Sequence, residues 1–244
     1  MARRLQQAGH TVHAWNRTQS KADPLAALGI AVHATVAEAV RQADIVVSLL
    51  ENGPAVEHVL FHAGAAQAMR PGTLFIDMAS IQPREARDHA ARLGEMGLAH
   101  LDAPVSGGTV GAENGTLAIM AGGRAEDFAR AQPVFAALGR ATHVGPHGSG
   151  QLAKLANQMI VGITIGAVAE ALLFAAKGGA DMAKVREAIQ GGFADSRILQ
   201  LHGQRMVDRD FAPKARMGVQ LKDMRNALGT AKEIGFDAPV TTLF

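Results

Sequence analysis

The residue in this chain best suited to moving a proton is a lysine one turn inside a helix that opens with glycines. The run Gly148-Ser149-Gly150-Gln151-Leu152-Ala153-Lys154-Leu155-Ala156-Asn157-Gln158 reads as a glycine loop feeding a long helix. Lys154, Asn157 and Gln158 stand at i, i+3 and i+4 and share one face. That face continues as Val161, Ile165, Val168 and Leu172, an apolar stripe at the spacing of a packed helix. A lysine at the polar mouth of such a stripe loses hydration, which disfavours its charged form and can make it a proton donor or acceptor near neutral pH, whereas a helical lysine taken by itself reads more commonly as a solvated surface group. A second set lies upstream, where Ser106-Gly107-Gly108 follow a strand-like run and Pro104. Glycines let backbone N–H groups approach a ligand closely, and a serine hydroxyl adds a donor. The set suits a small carboxylate and, on its residues, equally an ordinary tight loop.

The elements that must position these residues change character once. Up to about Gly148, apolar strand-like runs (Thr11–Trp15, Ala43–Leu50, Thr73–Met78, Ala99–Asp102, Thr116–Ala121, Ala141–Val144) alternate with helical patterns (Lys21–Leu28, Val36–Arg41, Ala55–Met69, Pro83–Met96, Ala125–Leu138). Strand–helix alternation predicts an α/β fold with a doubly wound, Rossmann-like parallel sheet. Ala43–Leu50 is nearly all apolar, as expected of a strand covered on both faces. After Gly148 the strand signals stop and helices follow, at about Gln151–Lys177, Met182–Gln190, Arg197–Met206 and Val219–Ile234. The expected division is a dinucleotide-binding domain over 1–147 and an all-α substrate and dimerisation domain over 148–244. Met1–Ala8 reads as the end of a helix closed by Gly9, with Thr11–Trp15 next. A doubly wound sheet normally feeds that helix from a strand and a glycine-rich turn. The sheet is therefore expected to lack its first strand, and both domains to be incomplete, the chain stopping just after Pro239-Val240-Thr241-Thr242.

Composition excludes several classes. The 244 residues are 48% hydrophobic and 19% charged, which supports a sizeable core rather than disorder. A net charge of +2, with no basic run interleaved with aromatics and no tyrosine, argues against nucleic acid. No cysteine means no disulfide, thiolate metal site or thiol catalysis, and is consistent with the cytoplasm. The most membrane-like run, 159–176, contains Glu170 and reads as a buried helix rather than a span. His58 and His62 have the i, i+4 spacing of a metal pair, but no neighbouring carboxylate completes a site, so no metal is expected. His10 and His13 fall on opposite faces of a strand.

Four blocks in order resemble the β-hydroxyacid dehydrogenases, the 3-hydroxyisobutyrate, tartronate-semialdehyde and glyoxylate/succinic-semialdehyde reductases related to 6-phosphogluconate dehydrogenase. They are Ile76-Asp77-Met78-Ala79-Ser80, Asp102–Gly108 with Gly111–Leu117, Gly148–Asn157 and Leu221-Lys222-Asp223-Met224. The resemblance implies an NAD(P)-dependent oxidoreductase that interconverts a small hydroxyacid and its semialdehyde or oxo acid by hydride transfer. Lys154 would then be the general acid and base, and Ser106, Gly107 and Gly108 would hold the substrate carboxylate. Asn157 would orient the substrate, although some members carry an asparagine at the position of Gln158. Lys222, Ser80 and the Leu49–Leu50 backbone would meet the cofactor, in a segment (Leu49-Leu50-Glu51) that departs from the family's leucine-proline pattern.

Asn16-Arg17-Thr18 follows the strand that should end at the adenosine ribose. An acidic residue there takes the 2′-hydroxyl of NAD, and an arginine accommodates the 2′-phosphate of NADP. The absence of a carboxylate and the presence of Arg17 favour NADP(H) over NAD(H). The family's G-x-G-x-x-G turn should precede Met1, so this chain is expected to hold cofactor weakly. The remaining expectations are a carboxylate-bearing aldehyde or hydroxyacid substrate, no membrane, and a homodimer or homotetramer, because the helical part is small. Two other readings stand. Imine reductases share the architecture but typically replace the catalytic lysine. A degenerate, non-catalytic module fits the missing turn but not the retained Ser106, Lys154 and Asn157.

Overall fold

The computed structural model describes residues 1–212 and 217–243. It divides into two compact units, Met1–Lys154 and Leu155–Phe244. The first contains, in order, α1 (Ala2–Gln7), β1 (His13–Ala14), 3₁₀ turns at Gln19–Lys21 and Asp23–Leu28, β2 (Ala31–Val32), α2 (Val36–Val40), β3 (Ile45–Ser48) and α3 (Gly53–Glu57). A π-helical turn (His58–His62), α4 (Ala65–Ala68), β4 (Leu74–Asp77), α5 (Pro83–Glu95), β5 (Ala99–Asp102), β6 (Val105–Ser106) and α6 (Gly108–Asn114) follow. The unit ends with β7 (Leu117–Gly123), α7 (Ala125–Leu138), β8 (Gly139–Gly145) and the first turns of α8 (Ser149–Lys177).

The main sheet runs β3-β4-β5-β7-β6, with β8 added to β7. Strands β3, β4 and β5 are parallel, in a register that aligns Ser48 with Asp77 and Asp77 with Asp102. The sheet turns mixed at β7, which is antiparallel to β5 and β6 and parallel to β8. The reversal follows from the connection: β5 passes through β6 and α6 rather than a full crossover helix before β7 begins. β1 and β2 pair with each other in a separate two-stranded sheet. This break leaves β3 at the edge of the main sheet. It also explains why β3 is half-buried at every position rather than covered, since it has a partner on one side only.

Alternation along β4 divides the core. Leu74 and Ile76 join Leu101, Leu117 and Phe135 in one cluster, while Phe75 joins Val40, Leu60 and Leu93 in the other. Local signals set the helix starts. Thr35 and Glu38 form a capping box before α2, and Gln82 and Glu85 form another before α5, whose first residue is Pro83. The helix expected over Ala55–Met69 forms as α3, the π-helical turn and α4, with Gly64 in the left-handed conformation between them.

The second unit holds the rest of α8, then α9 (Met182–Ile189), a π-helical turn (Leu199–Gly203), α10 (Gln204–Val207), α11 (Met217–Glu233) and α12 (Pro239–Leu243). Its core is small, built on Val168, Leu172 and Leu199. Helix α8 was expected to be buried, but only 11% of its most apolar 18-residue window, mean hydropathy 2.1, is covered within the chain. Ile160, Leu173 and Phe174 are 67%, 57% and 79% exposed, and Glu170 also faces outward.

Two buried titratable groups in the first unit act in opposite senses. Burial, reinforced by Asp102 and Glu85, pushes the Asp77 carboxyl up to about 7 against the pull of the Ala79 N–H. Burial holds the His100 imidazole down to about 3, and neither ring nitrogen has a partner among the described residues. Folded Asp77 keeps a proton that the unfolded chain releases near 3.8, so its contribution to stability falls as pH rises from about 4 to 7. His100 stays neutral where the unfolded chain protonates, so its contribution rises with pH between about 3 and 6.5. Asp77→Asn removes the first effect, on the order of 4 kcal/mol over that window. Urea unfolding of the variant between pH 4 and 7 should show stability rising with pH more steeply than in the parent. Parallel curves would contradict the buried, protonated Asp77.

Candidate active site

Ser48, Asp77 and Asp102 end three adjacent parallel strands at the sheet edge where open α/β folds bind ligands. The residues expected from sequence to meet cofactor and substrate follow those ends. Leu49 is exposed and Leu50 half-buried after β3, Ser80 is half-buried after β4, and Ser106–Gly108 come after β5. Ser48 Oγ and Asp77 Oδ2 are buried without a partner among the described residues. Gly107 and Gly108 adopt φ of 137° and 62°, conformations that favour glycine. A Cβ on Gly107 would also lie 3.2 Å from Leu117 Cδ2. Ser106 is held by the pairing of β6 with β7, opposite Ala118.

Asn16, Arg17 and Thr18 are exposed just beyond β1, where Asn16 Oδ1 accepts the Thr18 N–H at 2.9 Å. Trp15 packs on the same core cluster as Val46 and Leu50, which brings the ends of β1 and β3 to one core although their sheets are separate.

The start of α8 is fastened to the sheet. Asp102 Oδ1 accepts the Gly148 N–H at 2.8 Å, and Oδ2 accepts the Gln151 N–H at 2.9 Å. The Gln151 amide donates to Ala79 O at 2.9 Å and accepts the Ile81 N–H at 3.1 Å. Gly150 sits so close to the strands that a Cβ would overlap the carbonyl oxygens of Asp102 and Met120. Lys154 follows one turn later and is 8% exposed. Desolvation is therefore a fact of its position, as the sequence led one to expect.

In the second unit, Asn157 Nδ2 donates to Gln158 Oε1 at 2.9 Å. Gln158 Nε2 donates to Asp223 Oδ2 at 2.8 Å and to Gln220 Oε1 at 3.0 Å, while Lys222 Nζ lies 3.1 Å from Asp223 Oδ1. Asn157 and Lys222 are thus joined through Gln158 and Asp223. Both ends of the Gln158 amide are engaged in this network, whereas half-buried Asn157 enters it only through its Nδ2.

Sequence reasoning assigned no role to Asp102, Gln151 or Asp223. The available signals were an acid closing an apolar run, a glutamine inside a glycine loop, and an aspartate beside a lysine. Among the described residues no group of histidine and carboxylate side chains could hold a metal. Glu57 does reach His62, at 3.8 Å, but it is engaged by Arg92 and His89. Arg17 is exposed and the buried Ser48 hydroxyl has no partner among the described residues, so this sheet edge leaves donors that fit a dinucleotide.

Known proteins converge on one family. Residues 1–146 match the NAD binding domain of 6-phosphogluconate dehydrogenase, and residues 148–244 match the NAD-binding domain of NADP-dependent 3-hydroxyisobutyrate dehydrogenase. The 2-hydroxy-3-oxopropionate reductase of Escherichia coli is 44% identical over 99% of this chain and 83% of its own length. The structure of Mycobacterium tuberculosis 3-hydroxyisobutyrate dehydrogenase with L-serine superposes with a TM-score of 0.90 at 32% identity, over 99% of this chain and 85% of that one. An imine reductase of Streptomyces aurantiacus shares the fold, with a TM-score of 0.71 at 22% identity over 99% of this chain and 86% of that one. With its strand-end site, its lysine at the head of α8 and matches along both units, the chain belongs to the NAD(P)-dependent hydroxyacid dehydrogenases of the 3-hydroxyisobutyrate dehydrogenase family.

Proposed function

We propose that this protein is an NADP(H)-preferring reductase of small semialdehydes and 2-oxo acids, reversible as a hydroxyacid dehydrogenase. The observation that carries the proposal is Lys154, buried in the first turns of a helix pinned to the sheet's ligand edge. Bound NADPH supplies the hydride that adds to the substrate carbonyl carbon. Ser106 and the N–H groups of Gly107 and Gly108 hold the substrate carboxylate, and Asn157 orients the carbonyl. Lys154 Nζ gives its proton to the developing alkoxide and takes it back in the oxidative direction. On the cofactor side, Arg17 with Asn16 and Thr18 takes the 2′-phosphate, Leu49, Leu50 and Ser80 line the strand ends, and Lys222 is a further cofactor ligand. The retained lysine favours this reading over imine reduction and over a non-catalytic module. The domain roles follow: 1–147 holds the dinucleotide and 148–244 serves substrate and assembly.

NADPH oxidation should be visible by absorbance with tartronate semialdehyde, succinic semialdehyde or glyoxylate. Lys154→Ala should lower turnover about 10²- to 10⁴-fold, the worth of a positioned general acid, with NADPH binding retained. No turnover on any of these substrates, or near-normal turnover in the variant, would overturn the proposal. Arg17→Ala should lower kcat/KM with NADPH about tenfold or more and leave NADH rates unchanged, as expected for losing a charge-assisted hydrogen bond. An unaltered NADPH/NADH ratio would remove Arg17 from the phosphate site.

We further propose that the protein works in the cytoplasm as a homodimer or homotetramer that covers the apolar face of α8. The uncovered apolar length of that helix supports this. Sedimentation velocity should give at least twice the chain mass of 25.5 kDa. A monomer at micromolar concentration would contradict it.

A further inference from the structure

The glycine turn between β8 and α8 presents backbone N–H groups at a helix start, an arrangement that elsewhere receives a phosphate. Here a side chain of the protein itself fills that position. Asp102, fully buried at the end of β5, takes the Gly148 and Gln151 N–H groups with its two oxygens. An anion at a helix N-terminus is favoured by the helix dipole, which offsets part of the cost of burying it. Gln151, also fully buried, makes the second link: both ends of its amide bind the backbone of the loop after β4, at Ala79 and Ile81, on either side of Ser80. Gly150 lets the helix touch the strand carbonyls directly. The first turn of α8 is therefore tied to the ends of two adjacent strands, β4 and β5, and Lys154 stands on the next turn.

We propose that Asp102 and Gln151 are positioning residues for Lys154: together they set where its ammonium stands relative to the Ser80 loop and thereby determine the rate of proton delivery. The inference rests on the role given to Lys154 above. It differs from a simple stability role because both links converge on the helical turn immediately before the lysine. A displacement of about 1 Å at a reacting group can cost on the order of 100-fold in rate. Asparagine at 102 could accept only one of the two N–H groups and would turn an amide N–H₂ toward the other. Methionine at 151 keeps the volume but leaves Ala79 O and the Ile81 N–H without their partner.

The test measures kcat, KM and NADPH affinity for Asp102→Asn and Gln151→Met, each in the parent and in a Lys154→Ala background. Positioning predicts that kcat falls about ten- to 100-fold in the folded single variants while NADPH affinity holds. In the Lys154→Ala background the same substitutions should cost nothing further, because the group they position is gone. A general structural role would lower the residual rate by the same factor in both backgrounds, and that result overturns the inference. So does an unchanged kcat in folded Asp102→Asn and Gln151→Met. If Asp102→Asn fails to fold, Gln151→Met decides. Near-normal turnover in Lys154→Ala would instead remove the assigned role of the lysine, and this inference with it. Loss in Lys154→Ala without loss in the other two overturns only the positioning claim.

Discussion

The Asp102 carboxylate at the N-terminus of α8 is the interaction on which the rest of the site depends. Burial pushes the Asp102 carboxyl above the usual carboxylate range, and the two backbone N–H groups of the helix start pull it back toward the charged form. The bond ties the end of a parallel strand to the helix that carries Lys154 and, three residues on, Asn157. Around it the structure admits little variation: Gly150 has no room for a side chain, and Gln151 is clamped to the neighbouring loop. This junction fixes the start of the helix that carries the buried Lys154.

The same sheet edge collects unusual buried chemistry. Ser48, Asp77 and Asp102 lie side by side in register, with two polar atoms of the row unpartnered among the described residues. Burial of adjacent carboxyls raises the affinity of Asp77 for its proton, so the row need not carry two full charges at neutral pH. Across the strands, His100 is kept neutral by the same burial. The polar row sits at the sheet edge where open α/β folds bind ligands, between the apolar clusters on the two faces of β4.

In the second unit a hydrogen-bonded chain from Asn157 through Gln158 and Asp223 to Lys222 arranges two proposed ligand-binding side chains with one buried acid. Both ends of the Gln158 amide are bound within that chain, whereas Asn157 enters it only through its Nδ2. This separates Asn157 from Gln158, which on the sequence were equivalent neighbours. The apolar length of α8 left uncovered in this unit sets it apart from the first unit, where the sheet is covered on both faces at β4.

Much of this was legible in the sequence. Strand–helix alternation and the change to helices near Gly148 are local properties, and local propensity and periodicity are carried by neighbouring residues. Lys154, Ser106–Gly108 and Asn157 could be singled out as candidates because their types and spacing lie within single short motifs. Other features depended on residues far apart in the chain. The reversal of β7, the half-covered state of β3 and the outward face of α8 follow from which elements become neighbours, which periodicity does not encode. The pairing of Asp102 with Gly148 and Gln151 spans more than forty positions, as does that of Gln158 with Asp223. A side chain's sequence neighbourhood says what chemistry it could do. Only tertiary structure determines which partner it meets, because burial and hydrogen bonding are settled by packing between segments that the chain order keeps apart.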